Sequence, residues 1–391
     1  MFMTRDVIRV AAMSASVLLA GPLAMLAPAH ATASACLPLA GLEPPNPGGA
    51  GGTDLNGIAV VSSCSAWAVG SFEPGPQPID TLILRWDGTS WTQVAGPDPN
   101  SATQNNELLG VASVSARDAW AVGASSVPGS ERTLISHWNG QHWNLTPSPN
   151  ASDSGNELNA VTATTASNAW AVGFGGSLTL IERWNGKRWA VVRGGGARSA
   201  GELSGVTATS GHDAWAVGQR FNRKGFPQTL ITHWNGKAWK TVPSPDPAGA
   251  SGINVLFGVD ASSASNAWAV GYTQANSGTR TLILRWNGKA WKAVPSPNPG
   301  GAAPDNILRA VTVTGTRNAW AVGSAMNGKL RRTLLVHWDG KTWQRIPSPD
   351  PGSHTNDSLL SIDATSARNA WAIGVYFSAN QPDQTIAIHC C

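Results

Sequence analysis

The chain has 391 residues and a formal net charge of +4; only 13% of it is charged, and it carries 43 Gly, 26 Pro and 19 Trp against 2 Tyr. So little charge and so much Gly and Pro exclude long solvated helices, and the length suits one large all-β domain. With no extended Lys/Arg run, the small positive balance leaves no electrostatic footprint for nucleic acid.

In chain order, Arg5 and Arg9 precede an apolar run from Val10 to Leu26, and Ala29-His30-Ala31 has the small-x-small form that signal peptidase cleaves. The expectation is a secretory signal over residues 1–31, a mature start near Thr32 and an extracellular protein, with an uncleaved anchor as the alternative. Lipid attachment at Cys36 is disfavoured, because Ala33-Ser34-Ala35 lacks a Leu and Cys36 lies ten residues beyond the apolar run. No later segment is long and apolar enough to span a bilayer.

From Leu55 onward one pattern recurs seven times: Leu-x-x-Val, Ala-Trp-Ala-Val-Gly, Thr-Leu-Ile-x-(His/Arg)-Trp, then Asn-Gly-Lys-x-Trp-x-x-Val-Pro-Ser-Pro. The Trp of the second block falls at 67, 120, 170, 215, 268, 320 and 371, and six copies add a Trp pair five residues apart, such as Trp86/Trp91 and Trp338/Trp343, which accounts for all nineteen Trp. Each copy reads as four short strands. The first alternates with period two and the second ends at Gly. Asn-Gly or Asp-Gly makes a tight hairpin between the third and fourth, and Pro-Ser-Pro ends the ladder. Four strands at a period near fifty predict an all-β, seven-bladed β-propeller over 32–391, with blades starting near 55, 108, 158, 203, 256, 308 and 359. Facing blades bury both sheet faces, so the Trp are read as packing residues.

Repeat seven lacks its fourth strand. The N-terminus supplies a candidate, since Pro45-Asn46-Pro47-Gly48-Gly49 matches Pro297-Asn298-Pro299-Gly300-Gly301, which follows the fourth strand of repeat five. In that register a closing strand near 37–43 completes the last blade, and Cys36 falls where the Asn-Gly turn would be. A disulfide from Cys36 to Cys391 or Cys390 is expected to replace that turn, export making oxidation favourable. Cys64 is the candidate partner for the remaining Cys, and free buried thiols are the alternative.

These repeats resemble the BNR/Asp-box group of propellers, and within it the photosystem assembly factor type, whose units run Leu-x-x-Val, Ala-Trp-Ala-Val-Gly, a third strand and Asp-Gly-Gly-x-x-Trp. The corresponding turns here are Asp87-Gly88-Thr89-Ser90-Trp91 and Asn287-Gly288-Lys289-Ala290-Trp291. The Asp-box Ser is missing and most copies have Asn for Asp. A kelch-like match is weaker, because the Gly-Gly pair closing its second strand is a single Gly here. The resemblance implies the propeller fold; its members include sialidases, lectin-like binders and assembly factors, so function transfers poorly.

The third-strand slot holds His137, His233, His337 and His389, or Arg85, Arg183 and Arg285. Equivalent positions around a ring cannot converge on one metal ion, so stacking on Trp is expected there and no metal or other cofactor is predicted. The Asx before Ala-Trp, from Asp118 to Asn369, is read as turn chemistry. A second set, Asp54, Asn106, Asn156, Asn254, Asn306 and Asp357, is expected around the channel mouth on the opposite face, where turn formation competes with a cation or water cluster. Only Tyr272 and Tyr376 are present and neither sits in a sialidase-like motif, so no catalytic residues are assigned.

One asymmetry points to a working face. The loops after the second strands vary and carry Phe72, Phe174, Phe221, Phe226, Tyr272, Tyr376 and Phe377, with Arg220 beside Phe221. Variable loops on a rigid frame are where recognition lies, and these eight residues are the candidate ligand contacts. Blade three has the shortest such loop and no Pro-Ser-Pro exit, which predicts a notch. The reading is an extracellular, monomeric binding or scaffold module for a glycan or a protein. The alternative is a glycan-active enzyme of sialidase-like architecture using converging acids drawn from Glu73, Asp80, Glu131 and Asp383.

Overall fold

A computed structural model describes residues 37–38, 43–48, 51–75, 78–99, 103–193, 200–275, 278–299, 305–351, 356–378 and 381–390. The signal segment, its cleavage site, Cys36 and Cys391 lie outside the described residues. Among the described residues no helix is long and apolar enough to cross a membrane.

The strands form seven four-stranded antiparallel sheets, one per repeat. Blades I to VI span 53–93, 106–145, 156–191, 201–241, 253–293 and 306–346, and blade VII combines 357–390 with the N-terminal strand Leu37–Pro38. The first strand of each blade packs against the first strands of both neighbours, the last against the first, so the circle closes around a central channel. The sequence signals act as expected. Gly88, Gly140, Gly186, Gly236, Gly288 and Gly340 take positive φ in the hairpins before the fourth strands, and the Asx ahead of each accepts the backbone N–H groups that close the turn, as Asp87 does from Thr89 and Ser90.

Indoles hold neighbouring blades together. The second-strand Trp of one blade sits against both paired Trp of the next: Trp67 lies 4.9 Å from Trp138 and 5.1 Å, edge-on, from Trp143. The same triad recurs at Trp120, Trp170, Trp215 and Trp268, and Trp371 carries it across the closure onto Trp86 and Trp91. Such aromatic pairs add about 1 kcal/mol each beyond burial. The third-strand indoles also donate to the carbonyl of their own first turn, as Trp86 does to Ser63 at 3.0 Å.

Every first strand contains a β-bulge after its Leu, for instance between Leu308 and Ala310. That bulge explains the Gly ending each Ala-Trp-Ala-Val-Gly block. A Cβ on Gly323 would stand 2.0 Å from the Ile307 carbonyl oxygen, and the other six Gly meet the same obstacle. Because the obstacle is backbone, Gly323→Ala is expected to cost about 3 kcal/mol, the upper end for overpacking. Chemical denaturation checks this, with Gly315→Ala, where an added Cβ meets open space and φ is ordinary, as the comparison.

The N-terminal strand completes blade VII, but three residues out of the expected register. Leu37 pairs with His389 and Pro38 with Ile388, the places of Lys292 and Ala293 in blade V, where the sequence match sets Ala40 and Gly41. Nine residues instead of six then lead from the strand to the Asx that follows it. In five blades the Asx after the fourth strand accepts from the third-strand Thr N–H: Asp98 from Thr81, Asn150 from Thr133, Asp246 from Thr229, Asn298 from Thr281 and Asp350 from Thr333, at 2.6–3.0 Å. In blade VII Asn46 does this for Thr385 at 2.7 Å, which is the equivalence of Asn46 and Asn298 read from the sequence. A second expectation fails. Cys64 is a free, exposed thiol; it lies in the turn between Ser62 and Ser65, its Sγ 3.7 Å from Ser63 Oγ, and does not pair with another Cys.

Candidate binding face at the channel mouth

The bulge does more than bend the strand. It turns one extra residue per blade out of the ladder, and these seven residues, Asn56, Leu109, Asn159, Ser204, Phe257, Arg309 and Leu360, line the channel just inside one mouth. They are the variable position within the otherwise regular Leu-x-(Gly/Ala/Ser)-(Val/Ile) motif, and that contrast is the sequence signal that could have marked them. Because first and second strands pair antiparallel, with Thr53 opposite Phe72, this mouth opens on the variable-loop face.

The residue before each Leu forms the outer rim. Blades I to IV place Asp54, Glu107, Glu157 and Glu202 there, whereas blades V to VII place Val255, Ile307 and Ser358. Burial and then the charges of Asp383 and Glu73 push Asp54 up, and burial, Glu131 and Asp54 do the same to Glu107. Glu157 is pushed up to about 7 by burial, reinforced by Glu107, Glu131 and Glu202. Facing this acidic crescent, the Arg309 guanidinium lies 4.4 Å above the Phe257 ring, and Tyr272 stacks on Phe257 at 5.8 Å. A hollow of about 250 Å³ between them is lined by Glu157, Asn159, Glu202, Ser204, Phe257 and Arg309, with Leu109 and Leu360.

Strand alternation sorts the predicted ligand contacts. Directly opposed residues share a sheet side, so Phe174, opposite Glu157, and Tyr272, opposite Val255, flank the mouth. Phe72 and Tyr376 oppose Thr53 and Asp357 one register step away, and Phe72 packs into the core between blades VII and I. Phe221 and Phe377 are 49% and 39% exposed. Arg220 is exposed beside Phe221, and Phe226 closes the hairpin through its N–H to Asn222 Oδ1. The eight residues do not form one cluster. Glu73, Glu131 and Asp383 gather near the crescent, while Asp80 instead lies by Asp98. In blade III the second and third strands join through a tight turn at Gly175–Leu178, and residues 194–199, which bear on the predicted notch, lie outside the described residues.

The Asx set expected at the mouth is displaced by one register step. Asn106, Asn156, Asn254, Asn306 and Asp357 are fully buried, and Thr53, not Asp54, is their counterpart in blade I. They hold loops: Asn156 accepts from Ser152 N, Asn254 from Ala248 N and Thr53 Oγ1 from Gly48 N. The His/Arg slot stacks as predicted, His137 and His233 lying 4.1 Å from Trp120 and Trp215 and Arg183 4.9 Å from Trp170. These side chains also bond the Asx before Ala-Trp, as in His137–Asp118 at 2.8 Å and Arg183–Asn168 at 3.1 Å.

Deeper in the channel, Asp260 and Asp363 flank Thr312. Asp260 Oδ1 accepts from Thr207 Oγ1 at 2.9 Å and Oδ2 from Val313 N at 2.7 Å, and Asp363 Oδ2 accepts from Val60 N at 2.7 Å across the closure. Burial pushes them up to about 6 and about 7. Their oxygens serve backbone donors of adjacent blades, which is a tie between strands.

No family model matches the chain, and no curated protein matches it. Solved structures do. YCF48 bound to D1 peptide superposes with a TM-score of 0.55 at 13% identity, covering 89% of this chain and 95% of that one. U3-55K gives 0.56 at 10% identity, covering 87% and 96%, and a polysaccharide lyase family 25 ulvan lyase bound to -[GlcA(1-4)Rha3S]- gives 0.53 at 10%, covering 88% and 94%. At these identities the likeness is one of fold. It agrees with the BNR-like propeller read from the repeats, and the structures it joins include one holding a peptide and one holding a polysaccharide.

Proposed function

We propose that this chain is a secreted binding or scaffold module that takes a glycan or protein ligand on its variable-loop face, at the channel mouth. The carrying observation is the segregation of that mouth into an acidic crescent on blades I to IV and a Phe257–Arg309–Tyr272 wall on blades V and VI. Concave sites with a few convergent polar groups beside aromatic surface are where ligands bind. The fold neighbours that hold a peptide and a polysaccharide support both ligand classes. A glycan-active enzyme is the second reading, favoured by Glu157, whose carboxyl, held up to about 7, suits a general acid.

Glycan and peptide arrays probed with the mature protein test the first reading. Tyr272→Ala is expected to weaken the best ligand about tenfold, with Phe221→Ala reporting on the rim. Binding untouched by both variants would refute the choice of face. Turnover of a bound polysaccharide, lost in Glu157→Gln, would favour the enzyme.

A further inference from the structure

We infer that the hollow at the channel mouth is a receptor for a small zwitterion, its carboxylate held by Arg309 and its ammonium by Glu157 and Glu202. This rests on the variable-loop face being the binding face.

Arg309 is the anchor. Its bulge position turns it into the channel, its Nε is out of contact with solvent and lacks a hydrogen-bond partner, and it makes no ion pair among the described residues. The nearby carboxylate of Asp305 is already engaged by Arg331 at 2.8 Å. A half-buried guanidinium without a counter-ion is costly until an anion arrives, and its planar fork matches a carboxylate. The far wall has the opposite excess. Glu157 and Glu202 line the same hollow, with Glu107 and Glu131 adding negative charge behind Glu157, and neither lining Glu has a basic partner among the described residues. Each wall thus lacks a counter-charge. A polyanion is repelled by the crescent and a polycation by Arg309, so the arrangement selects against either. The volume, about 250 Å³, suits one residue-sized molecule or the end of a chain.

Isothermal titration with a series of ω-amino acids from β-alanine to 8-aminooctanoate, near pH 8 where Glu157 is largely ionised, tests this. Alkylamines and alkylcarboxylates of matched length are the controls. One length is expected to bind at least about tenfold tighter than either control. Arg309→Gln should reduce it to the amine level, and Glu157→Gln/Glu202→Gln to the carboxylate level, in variants shown by circular dichroism to be folded. Peptides with free or amidated C-termini then separate a chain end from a free amino acid as the natural source. Zwitterions binding no better than the controls, or indifference to Arg309→Gln, would overturn the inference. If array ligands still bind and are lost in Tyr272→Ala, only the zwitterion falls; if nothing depends on Tyr272, Phe221 or Arg309, the binding face falls with it.

Discussion

Replacing Cys390 by Ser is expected to lower the unfolding free energy of the mature protein by about 5 kcal/mol, the chain-entropy value for closing a loop of this length. The N-terminal strand Leu37–Pro38 contributes a two-residue ladder, supplemented by Asn46 on Thr385 N and by Pro44 O on Thr385 Oγ1 at 3.4 Å. A covalent tie at this edge adds chain-entropy stabilisation to the packing of blade VII on blade I. Cys390 is buried at the end of the last strand, beside His389, which pairs with Leu37, and is the expected partner of Cys36, with Cys391 as the alternative. Non-reducing peptide mapping should recover that pair, and denaturant unfolding should show the loss in Cys390→Ser but none in Cys64→Ser, whose thiol is exposed and free. An unchanged midpoint in Cys390→Ser would mean that packing alone shuts the circle.

The second large effect lies between blades II and III. Glu182 is completely buried in a third strand, at the position that holds Leu84, Leu284, Val336 and Ile388 elsewhere. Its Oε2 accepts from Ser148 Oγ at 3.1 Å, and its Oε1 has no hydrogen-bond partner. Burial pushes the carboxyl up to about 8 from 4.5. A group whose folded pKa is raised binds its proton more tightly in the folded state, so its contribution is complete below about pH 4.5 and is lost as the pH climbs to about 8. At about 1.4 kcal/mol per unit the loss reaches about 5 kcal/mol, and local relaxation reduces it. Glu182→Gln keeps an acceptor for Ser148 and removes the titration; Glu182→Leu restores the aliphatic type of four other blades, blades II and IV having Ser136 and Thr232 there. Both are expected to raise stability at pH 8.5 by about 3 kcal/mol and to leave it nearly unchanged at pH 4.5, as read from urea midpoints. Glu157, Asp260 and Asp363 are raised in the same sense, so the variant should retain a shallower slope. Identical pH profiles would show that Glu182 is ionised and solvated.

Repetition made most of the architecture legible. Spacing of Trp and Gly located blades, hairpins and closure, because every copy solves the same packing problem with the same residues. The mouth was harder to read because it is where copies differ. A bulge adds one residue to an alternating strand, and period-two reading then places its neighbours on the wrong side; this is why Asp54 was grouped with the buried Asn106 and Asn156 instead of with Glu107 and Glu157. Arg309 and Phe257 were overlooked for the same reason, lying in a first strand whose flanks looked like pure core. Tyr272 and Phe174 were found because they follow the Gly that marks where the second strand leaves the block. For Cys64, spacing carries no information on reach or direction, and of the two alternatives, a bond to the remaining Cys or a free thiol, its turn leaves the thiol free.

The indole triads have a consequence for how such a chain can change over time. Since each blade leaves its own second-strand Trp for the next blade to cover, and six joints use the same three residues, neighbours are interchangeable parts with a common fitting. A blade can be duplicated, swapped or rewritten at its loops without redesigning the contact it makes. The joint between blades VI and VII is the exception, for Trp320 meets no Trp from blade VII among the described residues and Cys390 stands where a third-strand Trp would be. Insertion of a spare copy would be accommodated anywhere on the circle except beside that one unmatched fitting.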